Sequence, residues 1–199
     1  EDLDPGRCRP EFIRMAEDDL RWLGLIWDEG GSEHPEYCQS SRSDIYNAYF
    51  QRLIALNMVY PCWCSRADLL AAGAPHQSDG HVIYAGTCRP AVPGVFDESV
   101  RSDRKPAWRI QVPDTDIAIT DGHYGPVSIN LARDCGDFVI RRADGVAAYQ
   151  LAVVVDDALM GVTEVVRGDD LLAATPAQIL LARALLGSSS SLFPLPSSL

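Results

Sequence analysis

The chain has 199 residues with a formal net charge of −11 and an ordinary apolar fraction for a globular protein. That is enough chain for one or two domains with a sizeable core. No apolar run approaches membrane-spanning length, and no signal-peptide pattern opens the chain, so a membrane protein is not expected. The acidic balance argues against a surface coated in phosphate contacts, though a local basic patch can still bind nucleic acid.

In chain order, Pro10 opens an expected amphipathic helix over residues 10–24, with Ile13, Ala16, Leu20 and Leu23 at steps of three and four. Residues 43–57 read as a second helix with Ile45, Tyr49, Leu53 and Leu56 on its apolar face. A short run, Met58-Val59-Tyr60, leads into Cys62-Trp63-Cys64. Ser65 to Asp68 resembles a capping box opening a short helix that ends at Gly73. Residues 74–81 are polar and loop-like.

Residues 108–112 and 117–120 look like strands, and 138–142 like a strand entering a hairpin turn at Ala143-Asp144-Gly145. Tyr149 to Val155 is strongly apolar and ends in a Val triplet, which predicts a fully buried strand of a parallel sheet. Residues 162–167 are a further strand candidate. Thr175-Pro176-Ala177-Gln178 starts a helix that Gly187 ends. Alternating strands and helices argue an α/β fold. Residues 188–199 carry four consecutive serines and no charge, and read as loop or disorder.

Cys62, Cys64 and Cys88 carry the chemistry that is clearest from spacing. Three thiolates and one further ligand satisfy a tetrahedral zinc ion and leave no open position, so such a site is structural. Metal binding would fold a loop too polar and Gly-rich to fold alone. Imidazole is the commoner zinc ligand, so His76 and His81 in the loop are first choices for the fourth position. Metal-like spacing argues against three disulfides and for reduced thiols in the cytoplasm. Cys8, Cys38 and Cys135 are then packing residues. Arg101, Arg104, Lys105 and Arg109 form one basic cluster and Arg141 with Arg142 another; each is either a binding patch or a solvated face.

Four blocks resemble the class I glutamyl-tRNA synthetase family: Glu1-Asp2-Leu3-Asp4-Pro5, the run from Tyr149 to Asp157, the run from Gly161 to Asp170, and Thr175-Pro176-Ala177-Gln178. They stand in the family's order and spacing from Glu1 to about Gly187. The pattern C-x-C followed by Y-x3-C, and Leu171 where full-length members usually carry His, look most like the family's short paralogue. That resemblance implies a Rossmann-type catalytic domain over residues 1–187, split by a zinc-containing, tRNA-binding insertion at residues 61–137. It implies glutamate activation by ATP, with magnesium, and transfer of glutamate to queuosine in the anticodon of tRNA(Asp). The partners implied are glutamate, ATP and the tRNA(Asp) anticodon arm, met by a monomer.

By residue, the resemblance assigns Glu1 to the substrate ammonium and Tyr149 and Arg167 to glutamate. No side chain is assigned to bond making itself. It makes Tyr84, as a phenolate whose pKa the metal lowers, the fourth ligand beside Cys62, Cys64 and Cys88. The bland alternatives are a core aromatic for Tyr149 and an ion pair to Asp169 or Asp170 for Arg167. The family's HIGH-like signature would lie upstream of Glu1 and its KMSKS-like lysine loop downstream of Gly187. The chain is therefore expected to be a fragment, inactive alone. Two other readings stay open: the catalytic part of an ordinary glutamyl-tRNA synthetase charging tRNA(Glu), and an inactive zinc-stabilised binding module.

Overall fold

Pro10 at the first turn and Gly24 beyond the last bound helix α1 (Pro10–Trp22). Gly24, at φ +76°, lets the Leu25 N–H reach Leu20 O and its own N–H reach Arg21 O. Those paired bonds close the open carbonyls of the last turn. The computed structural model describes residues 2–4, 6, 8–71, 83–96 and 104–187. Glu1, Gly73, the loop with His76 and His81, Arg101 and the tail from residue 188 lie outside them. Two compact units divide between Ala48 and Tyr49, inside helix α2 (Ser43–Ala55).

In the first unit, α1 departs from the expected burial. Ile13, Leu20 and Leu23 are exposed, and the buried side chain is Glu17. Its carboxylate accepts from the Ser32 N–H and hydroxyl and faces Arg21 at 3.6 Å. Hydrogen bonds to the charged form are what make a buried carboxylate tolerable.

Helix α2 forms where expected and buries Leu53 as expected, but Tyr46 and Phe50 are buried more deeply than Ile45 and Tyr49. Tyr46, Phe50 and Leu53 are buried, whereas Leu56 is exposed. Both sets have helical spacing; the aromatic pair of Phe50 with Trp108, at 5.3 Å between centroids, favours the observed face. Asn57, at φ +55°, ends the helix and turns the chain into strand β1 (Val59–Cys62).

In the second unit, β1 pairs antiparallel with β2 (Ala107–Ile110), placing Tyr60 opposite Arg109 and Cys62 opposite Ala107. β5 (Val139–Arg141) pairs on the far side of β2. A separate hairpin joins β3 (Asp116–Asp121) and β4 (Gly125–Asn130), its turn held by Asp121 Oδ1 accepting from two backbone N–H groups. Helix α3 (Arg66–Ala71) begins with the expected cap. Ser65 N–H and hydroxyl both donate to Asp68 Oδ2, and the Asp68 N–H donates back to Ser65 Oγ.

Two expected strands are not strands. Tyr149 to Val155 lies in helix α4 (Tyr149–Leu159), with Leu151, Ala152, Val154 and Val155 buried. Those positions form one face of a helix, and a short apolar run cannot distinguish a buried helix from a buried strand. Val162 to Arg167 has no regular structure and Val166 is 91% exposed, so no sheet partner holds it among the described residues. Every strand pairing among those residues is antiparallel. Helix α5 (Thr175–Leu186) packs on α4 and ends at Gly187 as expected. No helix among the described residues is long and apolar enough to cross a membrane.

Candidate metal centre and substrate-binding residues

β1 delivers Cys62 at its end, and Cys64 follows after one residue. The loop of residues 83–88 crosses them with Tyr84 and Cys88. The three sulfurs lie within 4.8 Å of one another. Cys64 and Cys88 are 3.6 Å apart, and the Tyr84 oxygen is 3.5 Å from Cys62 Sγ and 3.9 Å from Cys64 Sγ. A tetrahedron with zinc–sulfur bonds of about 2.3 Å and a zinc–oxygen bond of about 2.0 Å has edges of about 3.8 and 3.5 Å. The donor set therefore fits a zinc ion in both chemistry and spacing.

Local backbone makes this convergence. Gly86, at φ +80°, turns the loop so that Arg89 N–H meets Gly86 O at 2.8 Å and Cys88 folds back toward Tyr84. The Cys88 N–H then donates to the Tyr84 oxygen at 2.6 Å. Gly136, at φ +65°, passes so near that a Cβ would sit 2.9 Å from Ile83 Cγ2 and 3.2 Å from Tyr84 N. Tyr60, Leu69 and Phe96 pack around the cluster, in which Cys62 is buried and Cys64 and Cys88 are partly buried.

Behind the donors stands a polar brace. Asp137, only 3% exposed, accepts from the Tyr60 hydroxyl at 2.6 Å, Arg89 Nη1 at 3.0 Å and the Val112 N–H at 2.8 Å. Arg89 adjoins Cys88, and its Nη2 also donates to Val112 O at 2.9 Å. The Cys88 loop is thus pinned to the sheet that carries Cys62.

Arg109 corrects the sequence reading. It is not part of a surface patch but 8% exposed, with Nε donating to Cys62 Sγ at 3.4 Å and Nη1 to Asp137 O at 2.7 Å. Its guanidinium carbon lies 3.9 Å from the centre of the Tyr84 ring.

These neighbours divide the thiols. Burial alone would push the Cys62 thiol up. Hydrogen bonds from Tyr84, the Cys64 backbone and Arg109 outweigh burial and hold it below its ordinary value. As a thiol, Cys62 donates to the Tyr84 oxygen; as a thiolate it accepts from the Tyr84 hydroxyl. Burial, then the hydrogen bond with Cys88 and the charge of Cys62, push Cys64 up to about 11. Burial and the Cys62 hydrogen bond raise Tyr84 well above the usual phenol range. A divalent cation is what would draw the remaining protons off, since metal ligands bind deprotonated. None of the six cysteines is in a disulfide.

The expected substrate-binding residues are less fully drawn together. Tyr149 opens α4, partly buried, and no hydrogen bond joins it to Arg167 among the described residues. Arg167 forms no ion pair with Asp169 or Asp170 there. Its Nη1 donates to Gln178 Oε1 at 2.8 Å and its Nη2 to Thr175 Oγ1 at 2.6 Å. Thr175 and Gln178 are one turn apart on α5 and so share a face. Both acceptors are neutral, and a guanidinium has five N–H donors, so donors remain for an anion. Thr175 makes no helix-cap bond, unlike its expected role. Gln178 is buried with its Nε2 unpartnered among the described residues. Its sequence signal, the Thr-Pro-Ala-Gln block, was legible as a helix start and as part of the family resemblance, neither of which gave Gln178 a role.

Comparison with known proteins follows this geometry. Residues 1–192 match the family described as "tRNA synthetases class I (E and Q), catalytic domain". The chain is 52% identical over 191 residues to the glutamyl-Q tRNA(Asp) synthetase of Symbiobacterium thermophilum, covering 93% of this chain and 58% of that protein. It is 48% identical over 185 residues to the protein of that name from Nitratidesulfovibrio vulgaris, covering 91% and 57%. The chain thus spans somewhat over half the length of these curated relatives. Among solved structures, the glutamate–tRNA synthetase of Elizabethkingia anophelis superposes with a TM-score of 0.74 at 26% identity, covering 93% of this chain and 40% of that one. A glutamate tRNA ligase from Elizabethkingia meningosepticum, solved with its amino acid, gives 0.73 at 26% identity, covering 92% and 39%. Family match, close relatives and shared fold agree, and the chain belongs to the class I tRNA synthetases of the glutamate and glutamine group, through their catalytic domain.

Proposed function

We propose that the protein activates glutamate with ATP, as its magnesium complex, and transfers the glutamyl group to queuosine in the anticodon of tRNA(Asp). The observation that carries this reading is the 52% identity over 191 residues to a protein named for that reaction. Identity to the glutamate–tRNA ligases of known structure is half that, 26%. The short-paralogue reading is therefore favoured over an ordinary glutamyl-tRNA synthetase.

In this reading, Arg167 takes a glutamate carboxylate with the donors that Thr175 and Gln178 leave free. A planar fork suits a carboxylate bidentately. Tyr149 supplies a hydroxyl to the same substrate and Glu1 a carboxylate to its ammonium group. Cys62, Cys64, Tyr84 and Cys88 hold a structural zinc, which when bound closes the coordination and fixes the loop without taking part in the reaction. The surrounding residues 61–137 serve as the insertion that meets the tRNA(Asp) anticodon arm. Three cysteines at metal-ligand spacing, which a zinc site needs reduced, support a cytoplasmic setting, and the enzyme is taken to work as a monomer.

The activation step has its own test. The resemblance sets tRNA-independent activation apart from full-length glutamyl-tRNA synthetases, which generally need tRNA for that step. Protein from the complete reading frame should catalyse glutamate-dependent ATP–pyrophosphate exchange with no tRNA present. Exchange that appears only when tRNA is added would favour an ordinary glutamyl-tRNA synthetase.

A further inference from the structure

Among the described residues, Arg109 is a buried cation without a carboxylate partner. It sits in β2 opposite Tyr60, and among the described residues no carboxylate forms an ion pair with it. Asp137 reaches it through a backbone carbonyl, while the Asp137 carboxylate pairs with Arg89. A guanidinium 8% exposed, with no carboxylate paired to it among the described residues, is unfavourable by itself. Its Nε donates to Cys62 Sγ at 3.4 Å, and its guanidinium carbon lies 3.9 Å from the centre of the Tyr84 ring. Cys62 is 2% and Tyr84 7% exposed.

The donor set has the opposite difficulty. Three thiolates and a phenolate around a divalent cation leave an excess of negative charge in a pocket where Cys62 and Tyr84 are buried and water screens it weakly on their side. Each unfavourable charge lies beside the other.

We propose that Arg109 is the counter-ion of this centre, a positioning residue that hydrogen-bonds the Cys62 sulfur and balances the anionic donor set when zinc is bound. The inference rests on the reading that Cys62, Cys64, Tyr84 and Cys88 bind zinc. It adds that zinc retention depends on a cation that coordinates nothing. Residues outside the coordination shell that hydrogen-bond a ligand commonly tune metal affinity by about 10- to 100-fold.

Two substitutions separate charge from packing. Arg109→Gln keeps an N–H donor and removes the charge; Arg109→Lys keeps the charge and loses the planar fork. Zinc affinity is measured by competition with a chromogenic chelator on protein from the complete reading frame. Thermal midpoints are taken with and without zinc, and the sulfur-to-metal charge-transfer band is recorded with cobalt(II) in place of zinc. Arg109→Gln should lose about 10- to 100-fold in zinc affinity and lose stability chiefly when zinc is bound. Its cobalt band should move to lower energy, because a thiolate with a weaker hydrogen bond gives up its electron more readily. Arg109→Lys should lose clearly less affinity than Arg109→Gln. If Arg109→Gln does not fold, Arg109→Lys against the parent carries the test: folded protein that still retains zinc supports a role for charge. The inference is overturned if Arg109→Gln binds zinc as the parent does. It is equally overturned if Lys and Gln lose the same affinity, or if stability falls equally with and without zinc. A parent protein that binds no zinc would instead overturn the metal site itself.

Discussion

Replacing Cys88 by Ala is expected to leave the protein without stoichiometric zinc and to lower its thermal midpoint by about 12 °C. Cys88 contributes twice: its sulfur is 3.6 Å from Cys64 Sγ, and its N–H donates to the Tyr84 oxygen at 2.6 Å. Its neighbour Arg89 ties the loop to buried Asp137. Loss of a metal is among the few single changes that cost about 4 kcal/mol or more. At about 3 °C per kcal/mol for a chain of this size, that gives the stated shift. Tyr84→Phe, which keeps the ring beneath Arg109 and removes only the oxygen, should weaken zinc binding less than Cys88→Ala but more than His81→Ala. Metal analysis, chelator competition and thermal melts check the series. If His81→Ala is more damaging than Tyr84→Phe, Tyr84 is not the fourth ligand.

Arg167→Lys is expected to lower glutamate use by roughly 30- to 700-fold. Exchanging the fork for an ammonium would lose two charge-assisted bonds to the substrate, a cost on the order of 2–4 kcal/mol. The structure adds a reason that Lys cannot compensate. Arg167 is held in place by Gln178 Oε1 and Thr175 Oγ1, and a lysine that met both with two of its three donors would have one left, too few to meet a carboxylate bidentately. Steady-state kinetics at varied glutamate, with ATP saturating, measures the effect. A variant within about threefold of the parent, far inside that range, would remove Arg167 from the substrate.

Much of this arrangement was legible along the chain, and what was not has a common cause. The Cys62, Cys64 and Cys88 spacing stands in one short segment, as do the Ser65–Asp68 cap and the ends of α1 and α5. Tyr149 to Val155 was read as a strand because an unbroken apolar run carries no period; the packing of α4 against α5 decided for helix. The face of α2 was placed correctly at Leu53 and one residue off at Tyr46 and Phe50, because Ile45 and Tyr49 beside them are also apolar at helical spacing.

At the site, the missed residues act across long separations. Strand register brings Arg109 opposite Tyr60, hence diagonal to Cys62 on the same sheet face, and that register is not written locally. Asp137 reaches Tyr60 across 77 positions. Tyr84 was reached only through resemblance, since phenolate is an uncommon zinc donor and His76 and His81 stood nearby. Gln178 was hidden by its own motif, whose capping chemistry explained the block without any role for its amide.

The proposed reaction is most directly tested by transfer of labelled glutamate to purified tRNAs, using protein from the complete reading frame. The account predicts label on tRNA(Asp) that carries queuosine, and none on tRNA(Asp) lacking the modification or on tRNA(Glu). Equal labelling of unmodified tRNA(Glu) would contradict it.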